Sequence, residues 1–380
     1  MRLFKKNFKI KLLNLLIIFL LVTVSIFNNG YSKESYTKDR KEVYCSYNQL
    51  TDLLQLLQDM YPEIFLFYSL GKTYENRDIW CVKISDNVTI DEDEAGVLFT
   101  GGVHGNEKPG YQTVIYSIKA IVENYTAINV NQSFTNRIRN IVNNTELYFI
   151  PMVNPDGCEA STRKNRRPNP CIFGNTLYRG VDINRNFDYN WDDVDKHPLR
   201  YIFIPRSLED LKILFGKQTT FLFERSTVKH PLFDFLSPFG MGIYRGPHPF
   251  SENESQALKK FVENHSIIIS LDYHICGEVI LYSQPWEYRI PSDEKIFKFI
   301  AENITKINGY DIRIKPEWRN SSGGYKYWSY LTHGVFAFTV ELCASGKPVY
   351  FPNEKELLEL YRTHLNVNLY ISEKALTIKD

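Results

Sequence analysis

The stretch AGVLFTGGVHGNEKPG, Ala95 to Gly110, decides how the rest of the chain is read. Its first half is a continuous apolar run without polar alternation, as expected of a strand covered on both faces by helices. Its second half breaks into glycines and charge, and YQTVIYSIKAIVENY then continues as a helix. Strand, tight turn and helix in succession predict an α/β unit. His104, Gly105, Asn106 and Glu107 then occupy the loop at the C-terminal end of the strand.

The same arrangement recurs on either side. Upstream, SYNQLTDLLQLLQDMYPE places Leu50, Leu53, Leu54 and Leu57 at helical spacing ahead of Pro62, and DIWCVKIS reads as a strand. Downstream, ELYFIPMVNPDG is an apolar strand ending in an Asn-Pro-Asp-Gly turn. SIIISLDYHICG carries His274 just past its apolar run, and GVFAFTVELCASG ends near Glu341. The pattern predicts one α/β domain with a central twisted, mixed but mostly parallel β-sheet flanked by helices on both faces. Ligands of such sheets collect at the C-terminal ends of the strands, where these polar residues fall. Residues of about 192–240 lack a clear period and read as an insertion within a domain spanning 33–380.

Composition narrows the function classes. The chain has 380 residues, 43% of them hydrophobic, and a formal net charge of +1, which gives no sign of a nucleic-acid partner. Arg2, Lys5, Lys6, Lys9 and Lys11 precede an apolar run from Leu12 to about Phe27, so residues 1–32 read as a signal peptide or an N-terminal anchor. Either outcome places the remainder outside the cytoplasm, secreted or periplasmic, with membrane attachment only if the segment is retained. Export permits disulfides among the six cysteines, and Cys158 and Cys171, which bracket a basic loop, are the expected pair.

A catalytic zinc commonly takes three protein ligands from His and carboxylate side chains and keeps one position open for water. His104 and Glu107, three residues apart on a turn, suit two of these positions, and His274 is the best candidate for the third. Taken alone, an HxxE pair also suits a surface turn, and an isolated His274 also suits a hydrogen-bonded core position.

The segments GGVHGNEKPG, VNPDGCE, RKNRRPN, GVDINRNF, YRGPHPFSENESQAL, DYHICGEVILY and NSSGGYKYWSY followed by FTVEL occur in this order. Together they resemble the zinc metallocarboxypeptidase family typified by the pancreatic carboxypeptidases and the bacterial carboxypeptidase T, from about Tyr44 to Tyr350. The resemblance implies one Zn2+ per chain held by His104, Glu107 and His274, with Glu341 as general base. It further implies that Arg166 stabilises the oxyanion, that Asn184 and Arg185 grip the substrate's terminal carboxylate, and that the partner is the C-terminus of a peptide or protein, cleaved by a monomer.

Two positions depart from the family pattern. Counting back from Glu341 without gaps puts Arg319 where the family usually has a mobile tyrosine, with Tyr325 and Tyr327 as possible replacements under a local shift. The same register puts Lys326 at the base of the specificity pocket, where charge complementarity implies a preference for acidic C-terminal residues. A lysine lying along the surface is the competing reading of that position. Two other functions stay open: a cell-wall muropeptide peptidase of the same family, and an inactive binding module on the same fold.

Overall fold

Four buried apolar strands frame the sheet. In the computed structural model, which describes residues 44–128, 131–168, 180–191, 245–282, 291–313, 323–344 and 354–379, these are β3 (Ala95–Gly101), β4 (Thr145–Ile150), β5 (Ile267–Ile275) and β8 (Phe336–Leu342). They lie side by side in the order β4-β3-β5-β8, all parallel. Strands buried on both faces need no polar alternation, which is why each reads as an apolar run. β1 (Phe65–Lys72) and β2 (Asp78–Ile84) extend the sheet antiparallel beyond β4; β6 (Val279–Tyr282) and the two-residue β7 (Asp311–Ile312) extend it beyond β8. The sheet is therefore mixed with a parallel centre, as the sequence predicts.

Helices cover both faces. On one, Leu98, Tyr148, Ile150 and Ala337 of the sheet pack with Leu258 and Phe261 of α5 (Asn253–Asn264) and with Tyr325 and Trp328 of α7 (Tyr325–His333). On the other, α2 (Lys108–Tyr125) and the C-terminal α8 (Glu354–Lys379) pack on each other and on β3 and β5. That face holds a buried polar link: Tyr273 donates to Asn368 Oδ1 at 2.5 Å, and Asn368 donates to Ser117 Oγ at 2.9 Å. Further helices complete the layers: α1 (Tyr47–Met60), α3 (Gln132–Val142), α4 (Pro155–Ala160) and α6 (Pro291–Asn308). The opening helix α1 starts where its sequence says it should, on a reciprocal capping box between Ser46 and Gln49.

Contacts group residues from Cys45 to Asp380 into one unit. The predicted N-terminal segment 1–32, the insertion at about 192–240, Cys171 and Arg319 lie outside the described residues. Among the described residues no helix is long and apolar enough to cross a membrane.

Candidate metal centre

The register of the parallel strands determines what meets at their C-terminal edge. Thr100 pairs with Ile150 and Asp272, Gly101 with Tyr273, and His274 with Glu341. The loop after β3, the end of β5 and the end of β8 therefore open on one side of the sheet. The loop after β3 is braced from behind: Gly101 and Gly102 carbonyls accept from Val153 and Asn154 N–H at 3.0 and 3.1 Å. Asn154 caps α4 by accepting from Gly157 N–H at 2.8 Å, and its amide nitrogen donates to the Val103 carbonyl at 3.3 Å. Gly105 lies so close to this support that a Cβ there would sit 1.9 Å from the Gly157 carbonyl carbon. Glycine is required by the close approach of the two backbones.

On this loop His104 and Glu107 face His274 across the sheet edge. His104 Nδ1 lies 2.8 Å from Glu107 Oε1, His274 Nδ1 lies 2.8 Å from Glu107 Oε2, and the two Nδ1 atoms are 3.1 Å apart. All three side chains are buried. Burial would raise the Glu107 carboxyl, but the two facing imidazoles outweigh it and hold it below the ordinary carboxylate range. Burial would likewise lower His274, yet Asp272 and Glu107 push it well above the usual imidazole value. Two ring nitrogens and a carboxylate aimed at one buried point need a positive charge there, and a zinc ion fits this donor set. Asp86, Glu92 and Glu94 form the other such group among the described residues, half-buried and purely carboxylate. Burial, with Glu92 and Asp86 adding, moves Glu94 up to about 7, so a proton can serve that group instead.

The outward nitrogens of both histidines meet carboxylates. His104 Nε2 is 3.2 Å from Asp182 Oδ1, and His274 Nε2 is 2.7 Å from Asp272 Oδ2. Neither aspartate is among the site residues predicted from sequence. Asp272 was legible in principle, since residues two apart on a strand share a face.

Glu341 stands at the rim, paired with His274 in the β5–β8 register and half-buried. Burial raises its carboxyl above the ordinary range, against the opposing pull of His274. Asn184 and Arg185 lie on a short 3-10 turn (Ile183–Arg185) that follows Asp182. Asn184 Oδ1 accepts from Tyr325 N–H at 3.0 Å, and Arg185 Nη1 donates to the Asn184 carbonyl at 2.7 Å. No carboxylate of the described residues forms a salt bridge with Arg185, and burial lowers its guanidinium below the usual value. Lys326, half-buried on α7, sits with its Nζ 4.9 Å from the Tyr327 ring centroid, and its charge reaches Glu341.

Arg166 is placed elsewhere. Its Nε donates to Glu75 Oε1 at 3.1 Å, on the side where Glu75 also pairs with Arg77. The arginine that contacts the His104–Glu107–His274 cluster is Arg163, whose Nη1 lies 3.3 Å from Glu107 Oε1 and whose Nε donates to Asp182 Oδ2 at 2.9 Å. Burial disfavours its charge, but Asp182 and Glu107 outweigh this and hold it charged. The motif RKNRRP offers three arginines, and spacing alone does not say which one turns inward.

The sequence profile described as zinc carboxypeptidase matches residues 50–201 and 241–367. A zinc carboxypeptidase of Saccharothrix mutabilis subsp. capreolus is 26% identical over 88% of this chain and 71% of its own length. Human carboxypeptidase D is 26% identical over 80% of this chain, which spans 19% of that longer protein. The crystal structure of carboxypeptidase A from Helicoverpa armigera superposes with a TM-score of 0.63 at 21% identity, covering 90% of this chain and 76% of that one. With the matched profile extending over most of its length, the chain belongs to the zinc carboxypeptidase family, a family of metallopeptidases.

Proposed function

We propose that the chain removes single residues from the C-terminus of peptides or proteins, using one zinc ion held by His104, Glu107 and His274. The observation that carries this reading is the convergence of those three side chains beside Glu341, fixed by the pairing of His274 with Glu341. Bound zinc would supply a Lewis acid that polarises the scissile carbonyl and makes water acidic near neutral pH. The residues of the chain do the rest. Glu341 takes a proton from the attacking water and delivers it to the amide nitrogen, so that the C–N bond breaks and a free amino acid leaves. Arg163, rather than Arg166, faces the growing negative charge on the carbonyl oxygen, because its guanidinium is the one that reaches Glu107.

Arg185 and Asn184 receive the terminal carboxylate. A half-buried guanidinium that no carboxylate of the described residues bridges, and whose charge burial disfavours, favours an anionic ligand. Lys326 sets a preference for acidic C-terminal side chains, supported by its position close enough to influence Glu341. The basic and apolar N-terminal segment supports export, and the net charge of +1 gives no sign of a polyanion partner.

The test is mass spectrometry of a peptide library with varied C-terminal residues, with and without a zinc chelator. The expected result is chelator-sensitive loss of single C-terminal residues, fastest for Glu and Asp, with that bias lost in Lys326→Ala. Cleavage of muropeptides alone would replace the substrate class, and no cleavage with zinc bound would favour a binding module.

A further inference from the structure

His274 is held from behind by a carboxylate that, among the described residues, forms no salt bridge with any other charge. Asp272 precedes it by two residues on β5, so both side chains leave the same face of the strand. Asp272 Oδ2 lies 2.7 Å from His274 Nε2, and its other oxygen accepts from Thr100 Oγ1 at 2.8 Å. Thr100 is the residue that β3 pairs with Asp272. All three are buried, at 2, 3 and 2% exposure for Thr100, Asp272 and His274. No lysine or arginine among the described residues forms a salt bridge with Asp272; its cationic partner is His274. A carboxylate buried this deeply is costly unless positive charge lies beyond the ring it faces.

The contrast with His104 is informative. The aspartate behind that ring, Asp182, is 3.2 Å away and also accepts from Arg163 at 2.9 Å, so its charge is divided between two partners. The charge of Asp272 is directed at His274.

We propose that Asp272, steadied by Thr100, is the positioning residue that fixes the tautomer and orientation of His274 and thereby sets the zinc affinity of the site. The inference rests on His104, Glu107 and His274 being the zinc ligands. A carboxylate only accepts, so Nε2 keeps its proton toward Asp272, and Nδ1 is the nitrogen that offers a lone pair once zinc takes the place of its proton. Nδ1 is the atom that faces Glu107 Oε2 and His104 Nδ1. Asn184 Nδ2 also approaches Nε2, at 3.3 Å, but its amide orientation is set by the Tyr325 N–H on its oxygen. Two N–H donors cannot satisfy each other, so Asp272 is the partner of Nε2. The Asn184 amide hydrogens remain for an incoming acceptor.

The experiment measures zinc affinity of the full chain by competition with a chromophoric chelator, for the parent, Asp272→Asn and Thr100→Val. Cobalt substitution gives a second readout through the d–d absorption of the bound ion, and thermal unfolding of the metal-free proteins reports folding. Asp272→Asn is expected to raise the zinc Kd by about 10–100-fold. It should shift the cobalt spectrum and leave the metal-free unfolding midpoint close to the parent's. Thr100→Val should move Kd in the same direction by less. A Kd within twofold of the parent's in Asp272→Asn, with an unchanged cobalt spectrum, overturns the proposal. Should Asp272→Asn not fold, an unmoved Kd in Thr100→Val overturns it instead. A parent that takes up no zinc sinks the ligand assignment as well, which separates that failure from the failure of Asp272 alone.

Discussion

At the scale of single residues, the two arginines of one motif divide cleanly in the structure. Arg163 contacts Glu107 and Asp182, whereas Arg166 contacts Glu75. Arg163→Ala is expected to lower kcat/KM by about 10²–10³-fold, the range for loss of a group that stabilises an oxyanion. Arg166→Ala should stay close to the parent, since a partly exposed ion pair contributes little. Steady-state kinetics on one peptide decides, and equal losses from the two variants would contradict the placement. His104, Glu107 and His274, which converge in the structure, were legible through the ordered set of segments around them rather than through HxxE alone. Asp182 and Arg163 were not, because an aspartate or arginine is common everywhere and its role depends on where its side chain points; Asp272 was open to reading only through its two-residue spacing from His274 on the strand.

At the scale of elements, the parallel strands were legible because complete burial leaves an unbroken apolar run, and the loops at their ends carry the polar residues. β1 escaped because its half-buried pattern resembles neither a full apolar run nor strict alternation. β6 and β7, of four and two residues, are too short to show any period. The loop between β3 and α2 makes a mechanical prediction. Gly105 has no room for a methyl group, with Gly157 and Cys158 backbone atoms 1.9 and 2.2 Å from where a Cβ would stand. Gly105→Ala must push the two loops apart, at a cost of about 1–3 kcal/mol or more, and should also loosen zinc because His104 is the preceding residue. Urea unfolding of the metal-free protein measures the first effect. Asn106→Ala, one residue on and exposed, is the control and should change stability by less than about 0.5 kcal/mol.

At the scale of the whole molecule, the sheet and its helical layers follow from pattern, while the long C-terminal helix α8 contributes a feature that no pattern announces. His364 on α8 is fully buried, with neither ring nitrogen partnered among the described residues and the Tyr273 and Tyr310 rings 5.5 and 5.3 Å away. Burial lowers its pKa to about 3. The unfolded chain, with His near its ordinary value of about 6.5, takes up a proton there at a pH where the folded chain does not. Stability contributed by this neutral histidine is therefore present above about pH 6.5 and falls as pH drops toward 3, by up to about 1.4 kcal/mol per pH unit. Unfolding of the metal-free parent and His364→Leu, compared between pH 7 and 5, should show a steeper loss in the parent. Parallel pH profiles would contradict the burial of an uncharged imidazole.

The most direct measurement is made on Glu341→Gln, with zinc content and rate of C-terminal residue release determined on the same preparation. Glu341 pairs with His274 in the strand register and its carboxylate is not one of the three converging ligands, so the variant should retain one zinc per chain. Release should slow by about 10²–10⁴-fold, the contribution typical of a general base. A Glu341→Gln protein that keeps its zinc and trims peptides as fast as the parent would contradict the account.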